Sequence, residues 1–87
     1  MDLWGYREQI DAIDSELIQL FKERMNVSRQ IARYKKEYRL PTRDDTREKE
    51  KLAIICDKAG KELRPYAYKL YMVLFELSRE YQESSNI

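Results

Sequence analysis

Along the first half of the chain, apolar side chains return every three or four positions: Leu3, Tyr6, Ile10, Ile13, Leu17, Leu20, Val27, Ile31, Tyr34 and Tyr38. A second seam beside it runs Arg7, Ile10, Asp14, Leu17, Phe21, Arg24, Ser28, Ile31, Lys35 and Tyr38. This spacing is that of the buried face of an amphipathic helix. It predicts one helix over about residues 5–39, roughly 50 Å long at 1.5 Å per residue. A short lead, Met1–Gly5, precedes it, with Leu3 and Trp4 packed at the helix end. Pro41 stops it by restricting the residue before it.

A second helix is expected over about residues 45–59, with Leu52, Ile55, Cys56 and Ala59 on one face. Asp44 or Asp45 can cap it, and Asp45 with Glu48 fits a capping box. The charges of Lys49, Glu50 and Lys51 read as a solvated first stretch. Gly60 suits the stop. Pro65 suits the first turn of a third helix over about residues 64–83. Ala67, Leu70, Val73, Leu74, Leu77 and Tyr81 form its inner face, and Ser84–Ile87 a frayed tail. The expected fold class is therefore all-α, in one domain spanning residues 1–87, with three helices per chain and the first very long. A compact chain of this length has a radius of gyration of about 12 Å. The first helix overhangs such a globule, so an intertwined helical homodimer is expected.

Composition narrows the partners. Lys and Arg number 17 against 16 Asp and Glu, and the net charge of +1 favours neither nucleic acid nor a membrane surface. One cysteine and no histidine close off a disulfide framework, His-based triads and the usual zinc sites. No cofactor or metal is expected. The sequence opens on no apolar leader and nothing approaches a membrane span, so a cytoplasmic protein is expected.

Four polar residues lie at or beside inward-facing positions: Arg24 and Lys35 on the first helix, Ser78 and Gln82 on the last. An unpartnered buried cation is costly. The first stripe must therefore carry internal pairs, such as Arg24 with Asp14 or Glu16, or face an anionic ligand. The four together favour a ligand site between helices. Arg24 and Lys35 lie about 16 Å apart along the axis, a gap two long side chains can close around a small molecule. Arg7 precedes Arg24 by about 25 Å and cannot serve the same ligand from the same chain. If Arg7 belongs to the site, the partner chain supplies it. Such a group of cations, amide, hydroxyl and carboxylate suits a small polycarboxylate that bears a hydroxyl.

With these residues in view, the sequence resembles the all-helical chorismate mutase family. The segment YREQIDAIDSELIQLFKERMNVSRQIARYKK is similar to the family's first helix. LPTRDDTREKE resembles its loop and second-helix start, and ELSREYQ its Ser and Gln four residues apart. The resemblance spans about Leu3 to Glu83. It implies the Claisen rearrangement of chorismate to prephenate, the branch step to phenylalanine and tyrosine. That reaction needs no cofactor, metal or covalent intermediate.

The resemblance also implies roles. Arg24 matches the arginine that grips a substrate carboxylate, and Arg7 the arginine that crosses from the partner chain. Lys35 matches the lysine that contacts a carboxylate and the ether oxygen. Gln82 matches the opposite donor to that oxygen. Ser78 matches a second-carboxylate ligand. Glu48, with the backbone at Asp44, matches the pair that binds the ring hydroxyl, and Arg47 a supporting position beside it. Two alternatives remain: an isochorismate pyruvate lyase of the same fold, and a helical dimerisation module without activity.

Overall fold

In the computed structural model, which describes residues 2–85, the chain forms two helices, α1 (Leu3–Glu37) and α2 (Asp45–Ser85). The all-α expectation stands, but the count of three helices is corrected to two. Gly60 is the reason. It alone within α2 leaves helical geometry, at φ 83° and ψ 165°, and helix resumes with no connecting loop. Arg79 reaches Glu48 at 2.6 Å, although the two are 31 positions apart in sequence. A straight helix would separate them by about 46 Å. The single residue Gly60 therefore folds α2 back on itself into two limbs. That φ/ψ pair is open essentially only to glycine. A Cβ there would meet no atom within 4 Å, so the demand for glycine comes from the backbone and not from crowding. Pro65 sits inside α2, a little over one turn past the bend, and removes one amide donor there.

The helix ends differ from expectation in detail. Asp2 caps α1, its Oδ1 accepting from the Gly5 N–H at 2.9 Å. Leu3 and Trp4 thus belong to the first turn and are exposed, not a lead packed on the helix end. Pro41 is not the terminator. The Leu40 N–H bonds back to the Lys35 carbonyl and the Arg39 N–H to that of Lys36, with Arg39 at φ 55°. This is a Schellman turn with arginine where glycine is usual. Asp44, not Asp45, caps α2: its Oδ1 accepts from the Arg47 N–H at 3.0 Å. Asp45 instead pairs with Arg43 at 2.6 Å on the open surface. The hydrogen bond from Arg43, and then its charge, hold the Asp45 carboxyl below its ordinary value. Any stability from this pair is present above the unfolded carboxyl's range and fades as pH falls through the folded one. The expected tail is helical through Ser85, and residues 86–87 lie outside the described ones.

α1 lies against the second limb of α2 and runs in the same direction. Asp14 to Phe21 face Leu70 to Leu77, and Arg24 meets Ser78. The first limb returns alongside the second, Leu52 sharing a hollow with Tyr68, Met72 and Phe75. The result measures 54 × 27 × 14 Å with a radius of gyration of 16.1 Å. It is one helix layer thick, whereas stable domains bury two layers against each other. Among the described residues only Ala32 and Phe75 are buried apolar side chains. Most of the α1 stripe, including Ile10, Ile13, Leu17 and Leu20, stays more than half exposed. The expected inner face of residues 67–81 is shifted as well. Leu70 and Val73 are exposed, and Phe75, Ser78 and Gln82 turn inward. Phe75→Ala is expected to cost about 3–5 kcal/mol, the usual range for a buried phenylalanine. Urea unfolding followed by circular dichroism measures it; a loss under about 1 kcal/mol would mean Phe75 is not the core.

Candidate active site

The helical period of α1 delivers Arg24, Ser28, Ile31, Ala32 and Lys35 to the side that meets α2. Ser28 and Ala32 are its buried members, and their small side chains permit close approach. On α2, Phe75, Ser78 and Gln82 follow at three and four residues and line the opposing face. The Schellman turn then carries the chain from Lys35 round to Thr42 and the capped first turn of α2. These segments border a half-open cavity of about 230 Å³ lined by Lys35, Asp44, Arg47, Glu48, Ser78 and Gln82, together with Ile31, Thr42, Phe75 and Arg79. Its volume lies below the roughly 300–1,000 Å³ of drug-sized pockets and suits a small metabolite.

Six of the eight sequence-predicted residues therefore share one cavity. Arg24 joins them at its edge: its Nη1 donates to Ser78 Oγ at 2.6 Å. Its guanidinium also lies 5.9 Å from the centre of the Tyr71 ring, at the outer reach of a cation–π contact. The alternative of an internal pair with Asp14 or Glu16 is not realised. Among the described residues the ion pairs are Arg43–Asp45 and Arg79–Glu48. Arg7 is the residue not brought in. It is exposed near the far end of α1, as its spacing from Arg24 requires.

The polar groups of the cavity are held but not exhausted. Lys35 Nζ donates to the Thr42 carbonyl at 2.8 Å, and an ammonium keeps two further donors. Gln82 is only 7% exposed and its side chain makes no hydrogen bond to a described residue, yet among the described residues no fully buried side-chain polar atom lacks a partner. Its amide must therefore open onto the cavity. Asp44 is engaged as the α2 cap. Glu48 Oε2 accepts from Arg79 Nη1 at 2.6 Å, and Oε1 has no partner among the described residues. Four cations (Arg24, Lys35, Arg47, Arg79) thus meet two carboxylates (Asp44, Glu48) around the site. The surplus suits a ligand with two negative charges, and such charge-assisted bonds are the strong ones.

Sequence reasoning did not single out Arg79, Thr42 or Tyr71. Arg79 follows Ser78 directly, but its partner is known only once the bend at Gly60 is known. Thr42 contributes a backbone carbonyl, which no side-chain pattern reveals. A larger hollow of about 580 Å³ beside the site is lined mainly by leucines and other apolar residues of α1 and the second limb. It lacks the convergent polar groups of the smaller one.

An all-helical chain with excess cations, a buried amide and a hydroxyl about one small cavity has the form of a binder of small organic dianions. The family model for chorismate mutase type II matches residues 6–83, a span holding every predicted site residue, and the chain belongs to that family. No curated protein and no solved structure matches it. Among the described residues no helix is long and apolar enough to cross a membrane.

Proposed function

We propose that the chain is an active chorismate mutase, an isomerase that converts chorismate to prephenate on the route to phenylalanine and tyrosine. The observation that carries this reading is the pairing of Lys35 and the otherwise unbonded Gln82 amide on the walls of one cavity. In the rearrangement the ether C–O bond breaks as a C–C bond forms within the same molecule. No proton, electron or group enters or leaves. An enzyme can then act only by holding the enolpyruvyl arm over the ring and by stabilising charge on the ether oxygen. Lys35 and Gln82 are the donors to that oxygen. Arg24, Lys35 and Ser78 hold the carboxylates. The free oxygen of Glu48, with the backbone at Asp44, receives the ring hydroxyl, and Arg47 supports that end.

The same reading supplies the missing layer. A second copy covering the exposed α1 stripe would bury it and bring its own Arg7 to this cavity, so the proposed working unit is a homodimer. The direct test is to mix the protein with chorismate, follow the loss of its absorbance and identify the product. Prephenate is expected. Pyruvate released from isochorismate, with no prephenate from chorismate, would assign the lyase instead; no turnover of either would leave a dimerisation module. Gln82→Ala is expected to lower kcat by about 10²–10³-fold, the usual cost of one transition-state donor, with KM little changed. A rise in KM alone would remove Gln82 from the ether oxygen.

A further inference from the structure

Arg79, the partner of Glu48, has no part in the roles given above. The pair joins the first turn of α2 to its last turns across the Gly60 bend, and both residues line the cavity. Each side chain is 23% exposed, so solvent screens the pair less than it does Arg43–Asp45, whose side chains are 63% and 64% exposed. Alone, Glu48 has three rotatable bonds at the mouth of a helix and no neighbour to fix them. Arg79 holds one oxygen, Oε2, and leaves Oε1 without a partner. The other carboxylate of the cavity, Asp44, is held by its Oδ1 at the cap of α2.

We infer that Arg79 is a positioning residue for substrate binding: it fixes the Glu48 carboxylate and leaves one oxygen to accept the substrate's ring hydroxyl. This rests on the mutase reading. The guanidinium suits the task because its planar fork sets direction as well as charge. The Arg79 hydrogen bond goes to Glu48, so its effect on binding is expected to run mainly through that carboxylate.

A double-mutant cycle on the full chain, assayed with chorismate, tests this, with circular dichroism confirming that each variant is folded. Arg79→Met keeps the stem and removes the charge. It is expected to raise KM by about 10–100-fold, the worth of a charge-assisted hydrogen bond, and to change kcat by less than about 3-fold. In a Glu48→Ala background the same substitution should change KM by less than about 2-fold, since nothing remains to be positioned. Arg79→Lys restores the charge without the fork and should recover only part of the loss. If Arg79→Met does not fold, Arg79→Lys against Glu48→Ala runs the same cycle, with a smaller KM rise that also vanishes. A KM effect that persists undiminished without Glu48 overturns the inference in favour of direct contact or a brace across the bend. A fall in kcat at constant KM also overturns it. A wild-type chain that forms no prephenate removes the mutase reading and this inference together, whereas an active wild type with independent effects removes the inference alone.

Discussion

Lys35→Ala is expected to lower kcat/KM by about 10²–10³-fold, or roughly 2.7–4 kcal/mol of transition-state stabilisation, while leaving the helices in place. The two halves of this expectation come from one contact. Among the described residues the Lys35 side chain makes a single hydrogen bond, to the Thr42 carbonyl at 2.8 Å. Its loss frees a carbonyl in a turn that water can reach, at a net cost of about 1 kcal/mol. The rest of the ammonium faces a cavity whose walls include the nearly buried Gln82 and Ser78. In the proposed reaction a charge there would act on the ether oxygen in a medium that screens far less than water. Lys35→Arg should not restore full activity, since a planar fork cannot place one donor where a compact ammonium did. Activity within about 5-fold of wild type after Lys35→Ala would move this lysine away from the reacting atoms.

The second large effect concerns Arg7. Neither Arg7→Ala nor Lys35→Ala should retain substantial activity alone, yet unfolding and refolding them together should recover it. In the proposed two-fold dimer each site would take Lys35 from one chain and Arg7 from the other. A mixed dimer therefore holds one site with both residues intact and one with neither. Random assembly makes half the dimers mixed, so about a quarter of wild-type activity is expected. Activity no greater than the average of the two variants would show that Arg7 serves its own chain's site or none. Seventeen residues of straight helix, about 25 Å, part Arg7 from Arg24, and this separation favours exchange.

Much of this site was legible in the sequence because it follows one rule. Arg24 and Lys35 stood out as cations on an apolar seam, and Ser78 and Gln82 as polar residues one turn apart. Helical periodicity is enough to put each pair on one face. Periodicity could not rank the faces of the chain's end. Val73, Leu74, Phe75 and Leu77 are all apolar, and the pattern does not say which side meets α1 and which is left open. Phe75 was therefore missed as core. The count of helices failed at Gly60 for a related reason. A glycine between apolar runs signals a departure from helical geometry, but not whether a loop follows. Here one residue makes the whole reversal. The pairing of Glu48 with Arg79 depends on that reversal and could not be read before it.

A core reduced, among the described residues, to Ala32 and Phe75 carries one more consequence. In the proposed assembly most of the apolar burial belongs to the pair of chains and little to either one. Folding then obeys mass action, and the thermal midpoint rises with protein concentration instead of being a constant of the sequence. Dilution would dismantle structure and catalysis together.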